Sequence, residues 1–245
     1  MSYLTEYCEE AFDPLLFARV VSAMESRLRA IGVQVEFGLD FEHLEECLEG
    51  LEKDKLTEHF RSDLNTYTPQ NAFYIKALNG DGIVALIAAR FDDLGQQTLD
   101  VHLTKYWRRC YPGKAGPKVE LAKQQPRFMR EISGRVAYLG ELWVKPEWRG
   151  KRIHEYLVPL TTATAMQRWD PHWMYCWIRP VMWGKDYARA YGFSAVHPVG
   201  LIWEDCPATI DPDLVMGVNK RTWVLDWMEG YASGSLVGSH SLPVG

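Results

Sequence analysis

Residues 136–169 constrain this 245-residue chain more than any other stretch. An extended run from Val136 to Val144 meets a turn, Lys145-Pro146-Glu147-Trp148. Arg149-Gly150-Lys151-Arg152-Ile153-His154 follows and opens a helix. A strand that breaks into a basic, glycine-containing turn at a helix start is suited to hold a phosphate. The first helical turn has unpaired N–H groups, and the aligned peptide dipoles leave about half a positive charge there. Arg149, Lys151 and Arg152 add full charges at the same place. The spacing is not that of a Walker A loop, and the glycines of a dinucleotide-binding turn are missing.

The stretch resembles the acyl-CoA-binding core of the GNAT N-acetyltransferase superfamily, in which a strand ending in V-x-P-x-x-R-G-x-G-x-G/A leads the pyrophosphate of acetyl-CoA onto a helix N-terminus. Val144, Pro146, Arg149, Gly150 and Ile153 match in place. Tyr187 to Phe193, closing on Gly192-Phe193, resembles the family's later helix. The chain departs from the pattern at Arg152 and His154, which replace glycines, and at Ala188, where the family usually has a tyrosine.

The resemblance implies an α/β fold with a mixed, strongly twisted sheet. Its central strands, 136–144 and 173–178, would run parallel and splay, opening a slot for pantetheine. It also implies acetyl-CoA or another acyl-CoA as co-substrate, without a metal. Arg149, Gly150, Lys151, Arg152, Ile153 and His154 would hold the phosphates, and backbone N–H groups near Trp143 and Val144 would polarise the thioester carbonyl. The function implied is acyl transfer to a small amine or amino compound. A catalytically retired module that binds acyl-CoA or a protein is the alternative.

The chemistry needs a base for the amine and a proton for the leaving sulfur. Glu141 is the candidate base. Strand alternation puts it on one face with Leu139 and Trp143, where an apolar setting raises a carboxyl pKa. The alternative reading is a structural ion pair. Tyr187 is the candidate acid, with Tyr191 beside it; the alternative is that both tyrosines are packing residues.

Composition sets the outer bounds. With 47% apolar residues, a single domain with a substantial core is expected. A net charge of −5 argues against general nucleic-acid binding. Five cysteines without C-x-x-C spacing point to reduced thiols in a cytoplasmic protein. The N-terminus has no signal-peptide pattern, and no apolar run approaches the ~20 residues of a membrane span. Histidines in H-x-x-x-H spacing and a G-x-S-x-G serine are missing, so metal and serine-hydrolase chemistry have no support.

Around the central stretch the chain divides into a helical extension (1–32), an acyl-CoA-binding domain (33–229) and a Gly/Ser-rich tail (230–245). Asp13-Pro14 opens the first helix, whose stripe of Leu16, Val20, Met24, Leu28 and Ile31 packs either on the domain or on a second copy in a homodimer. Residues 33–37 alternate as a strand. An acidic helix from Phe41 presents a solvated face or attracts a cationic amine. A further helix is expected over 56–64. Strands at 72–78 and 83–91 flank Asn79-Gly80-Asp81-Gly82, a hairpin turn. Residues 92–134 form an insertion rich in Lys and Arg, with a helix over 99–109. The insertion is a solvated surface or a lid in which Arg108 and Arg109 grip an anionic substrate. Pro159 should kink or break the helix after His154. Residues 193–197 and 200–204 read as strands, and residues 221–228 read as the final strand.

Overall fold

Period-two apolar patterning and turn chemistry build a sheet with helices on both faces. The computed structural model describes residues 12–80, 82–185, 187 and 191–233. In chain order the elements are α1 (Pro14–Ala30), β1 (Gln34–Gly38), α2 (Phe41–Leu48), β2 (Ala72–Asn79), β3 (Gly82–Asp93) and α3 (Leu99–Cys110). They continue with β4 (Glu120–Leu121), β5 (Arg135–Val144), α4 (His154–Trp169), β6 (Trp173–Ile178) and the short α5 (Pro180–Trp183). The chain ends with β7 (Ala195–His197), β8 (Trp203–Asp205), β9 (Val215–Lys220) and α6 (Arg221–Ala232). Short 3₁₀ turns lie at Arg127–Glu131 and Pro146–Trp148.

The main sheet runs β1-β2-β3-β5-β6-β9-β7. Its pairs are antiparallel except β5 with β6, which run parallel. That pair meets only at Val136–Trp173, Ala137–Met174 and Tyr138–Tyr175. Beyond those residues β5 keeps pairing with β3 while β6 pairs with β9, so the two strands separate toward their C-terminal ends. This is the splayed, mixed sheet that the acetyltransferase resemblance implies.

Two apolar layers clasp the sheet. On one face α1, α4 and α6 bury Met24, Leu28, Leu157, Met166 and Val224 against Phe73, Ile87 and Leu139. The stripe on α1 is thus covered within its own chain. Asp13 caps α1 by accepting the Leu15 N–H at 2.8 Å. On the other face α2, the irregular segment after it and α3 pack Leu44, Phe60, Leu103 and Trp107 onto Tyr138 and Tyr175. Among the described residues, no helix is long and apolar enough to cross a membrane.

Several expectations fail for local reasons. Residues 56–64 form hydrogen-bonded turns rather than a helix. The Asn65 side-chain amide donates to the Glu58 and Arg61 carbonyls at 2.9 and 3.0 Å, replacing the backbone donors a helix would use. The last strand is β9, and residues 221–228 belong to α6. Val224 and Met228 are both buried at a spacing of four, the helical period that the apparent alternation concealed. The helix α4 runs unbroken through Pro159. Proline removes a single ladder bond there, and the burial of Val158 and Leu160 on either side offsets it. Asp81 in the hairpin turn, Ala188 in the later helix and residues 234–245 of the tail lie outside the described residues.

Candidate active site

The separation of β5 from β6 opens a cavity of about 630 Å³ that passes through the sheet. At one end it is walled by Leu142, Val158, Ile178, Met182, Tyr191 and Phe193. At the other end it reaches Lys53, Thr57, His59, Trp107, Tyr111 and Trp177. Glu141 and Trp143 line the passage between them.

A β-bulge sets the direction of Glu141. Leu86 faces Trp143 and Ala88 faces Gly140, so Glu141 and Leu142 together oppose the single residue Ile87. Glu141 takes a left-handed backbone, φ 60°. The bulge reverses the phase of the strand. Leu139 and Leu142 pack toward α4, whereas Glu141 turns to the face of Trp143 and Tyr138. The expected face shared with Trp143 is present, and the one shared with Leu139 is not. Gly140 is required here, because the Tyr138 hydroxyl would lie 2.6 Å from any Cβ at that position.

The setting of Glu141 is polar, contrary to expectation. Its Oε2 accepts from the Thr57 N–H at 3.0 Å and the Thr57 hydroxyl at 2.6 Å, and its Oε1 is ion-paired with Lys53. Both partners come from the irregular segment after α2, whose sequence carries no catalytic signature.

The basic turn lies where β5 ends. Gly150 has φ 87° with open space where a side chain would be. Arg149 donates from Nε to the Val144 carbonyl at 3.1 Å and lies 3.8 Å from Glu52. Lys151 stacks its ammonium over Trp148 at 3.7 Å. Arg152 precedes the helix instead of lying in its first turn. It has φ 59° and grips Glu155 with Nε at 2.7 Å and Nη2 at 2.6 Å. Ile153 is buried, and α4 begins at His154 with no side-chain cap. Its first amides bond backbone instead: Glu155 N–H donates to the Arg152 carbonyl at 2.9 Å and Tyr156 N–H to the Ile153 carbonyl at 3.1 Å. Burial lowers the His154 pKa, with Arg152 adding to the effect and Glu155 opposing it.

The His154 ring lies against Tyr187 and Tyr191, at 5.5 and 5.9 Å between centroids. Tyr191, rather than Tyr187, lines the cavity, and burial pushes its phenol pKa up. The thiol of Cys176, also on the wall, is pushed up by burial in the same way.

Sequence reasoning missed the aromatic chamber at the far end. Arg90, on β3, is buried there. Burial works against its charge, but Asp92 at 3.0 Å holds its pKa well above the usual value. It stacks on Tyr106 at 3.7 Å and approaches His59 Nδ1 at 3.5 Å. Burial first, and Arg90 second, keep the His59 pKa well below its usual value. Arg108 lies 3.6 Å from Glu120, and Arg109 donates to Asn65 at 2.7 Å and stacks on Tyr106. Neither arginine lines the cavity. The one signal in sequence was the aromatic pair Tyr106-Trp107 beside those arginines, and both aromatic residues are buried.

No protein-family model matches the sequence, and neither does any curated protein. Among solved structures, Escherichia coli ElaA is similar at a TM-score of 0.44 and 12% identity, over 77% of this chain and 99% of its own. Arabidopsis thaliana NAA60 in complex with acetyl-CoA is similar at 0.45 and 10%, over 77% and 98%. Drosophila melanogaster polyamine N-acetyltransferase is similar at 0.45 and 13%, over 76% and 100%. At that distance these likenesses carry no argument about the chemistry of this chain.

Proposed function

We propose that this chain transfers an acyl group from an acyl-CoA thioester to a small amine. The observation that carries the reading is the parting of β5 from β6 over a cavity lined by Leu142, Val158 and Ile178 and, farther in, by Glu141. Arg149, Lys151 and the open backbone at Gly150, beside the positive end of the α4 dipole, suit the phosphates. The slot walled by Leu142, Val158 and Ile178 suits pantetheine. The β5 edge released from β6 would present N–H groups near Trp143 and Val144 to the thioester carbonyl. The amine nitrogen attacks that carbonyl and gives its proton to Glu141. The C–S bond breaks, and the thiolate takes a proton from Tyr191, Tyr187 or water. Placement of amine and thioester in one slot supplies much of the acceleration.

Acetyl-CoA should bind saturably in calorimetry, and free thiol should appear when a primary amine is added. No heat and no thiol would overturn the reading. One observation favours a second reading, a module that binds acyl-CoA without turnover. Both oxygens of Glu141 already have partners, Thr57 and Lys53. Saturable binding with no thiol release across an amine panel would select it.

A further inference from the structure

One amine already stands where the reaction needs its acceptor. The Glu141 side chain has no exposed surface, and the segment after α2 engages both its oxygens: Thr57 donates to Oε2, and the Lys53 ammonium pairs with Oε1. Lys53 is the one primary amine among the described residues that line the cavity. Its side chain is 15% exposed, and its Nζ also donates to the Lys55 carbonyl at 3.0 Å.

An outside amine can give its proton to Glu141 only after displacing Lys53 from Oε1 or Thr57 from Oε2. Lys53 displaces nothing. Glu141 shares its face of β5 with Trp143, near which the thioester carbonyl would lie. Two residues of strand span about 7 Å, within the swing of a four-carbon stem. Holding the nucleophile beside its base replaces a bimolecular encounter with a step inside one chain. So little of Lys53 is exposed that the cavity of a second molecule cannot take it up.

Resting on the acyltransfer reading, we propose that Lys53 is a modification site, acylated on Nζ by its own chain from a bound acyl-CoA. The Lys53 ammonium gives a proton to Glu141. Rotation about Cε–Nζ turns the freed lone pair toward the thioester carbonyl, and the C–N bond forms as the C–S bond breaks. The nitrogen sheds its second proton, the thiolate takes one, and CoA leaves as the free thiol. Glu141 returns its proton to water, and Lys53 becomes a neutral amide.

Full-length protein incubated with acetyl-CoA and no added amine should carry an acetyl group on Lys53, read by peptide mass spectrometry, with an equal amount of free thiol. The rate per chain should not change with protein concentration. Lys55, exposed two residues away, reports uncatalysed acetylation in the same sample. Lys53 should be labelled about a hundredfold or more faster than Lys55, and Glu141→Gln should remove that advantage, the contribution of a positioned base. Lys53→Arg keeps a cation beside Glu141 and should release no thiol until an amine is added. Equal labelling of the two lysines, an unchanged Lys53 rate in Glu141→Gln, or label on the Thr57 hydroxyl in place of Lys53 would overturn the proposal. Acetyl-CoA calorimetry and thiol release with an added primary amine judge the acyltransfer reading separately. Turnover of that amine with Lys53 unlabelled would keep the acyltransfer reading and remove this one; no binding and no thiol would remove both.

Discussion

Arg152 holds a left-handed backbone at φ 59°, a conformation that costs a non-glycine residue roughly 1–2 kcal/mol. Glycine there would relieve that strain. It would lose the half-exposed pair with Glu155, worth about 0–1 kcal/mol, and add about 0.4–1 kcal/mol of unfolded-chain entropy. Arg152→Gly should therefore leave stability within about 1 kcal/mol of wild type, as read by urea unfolding. Acetyl-CoA should bind it as tightly or more tightly. Arg149→Ala should bind acetyl-CoA about tenfold or more weakly if its guanidinium meets a phosphate. Equal affinity of wild type and Arg149→Ala in calorimetry would take Arg149 out of the site. The turn was legible because a left-handed position and a basic cluster both leave marks in residue type. The orientation of Glu141 was not. A bulge shifts strand phase by one residue without changing composition, so alternation paired it with Leu139. Nor could any spacing place Lys53 and Thr57, 88 and 84 residues upstream, on its two oxygens.

At the scale of elements, strands flanked by clear turn signals were readable: β2, β3, β5 and β6 lie within a few residues of where patterning put them. Short strands between long-range partners were not. β9 forms between β6 and β7, with Gly217 directly under the Phe193 ring, and Val-Met-Gly-Val has no alternation to announce it. The insertion was legible as an insertion but not as a wall. It is tied down by Asp205 on β8, which accepts the Ala115 and Gly116 N–H groups at 2.9 Å each. β4 pairs with β8 beside that clasp, and Trp203 packs edge to face on Trp107 at 5.1 Å. Asp205→Ala should loosen residues 112–118 while the main sheet persists. Limited proteolysis should then cut in that segment well before the core, with far-UV circular dichroism unchanged. Cleavage no faster than wild type would show that β4 and the aromatic contacts hold the segment without the carboxylate.

For the molecule as a whole, four histidines share one property that their scattered positions do not reveal. Burial lowers the pKa of His59, His102, His154 and His197. At His59, His102 and His154 a neighbouring arginine adds to the effect; at His102, His154 and His197 a carboxylate opposes it without reversing it. A histidine that stays neutral in the fold but charges in the unfolded chain makes the unfolded state the better proton acceptor. Stability then rises with pH wherever the unfolded chain binds more protons. The contribution is complete above the unfolded value of about 6.5 and declines as pH falls below it, toward each lowered folded value. The fully buried His59 contributes up to about 1.4 kcal/mol per pH unit within that window, and the more exposed His197 least. The melting temperature should therefore be level from pH 8 to 7 and fall from pH 6.5 to 5, before most carboxylates titrate. His59, fully enclosed beside Arg90, should account for the largest share. His59→Gln keeps a polar side chain without a titrating ring, so it should flatten the decline between pH 6.5 and 5 even if it melts lower throughout. A wild-type melting temperature unchanged from pH 7 to 5, or a decline equally steep in His59→Gln, would mean that the buried imidazole does not set the acid limit of the fold.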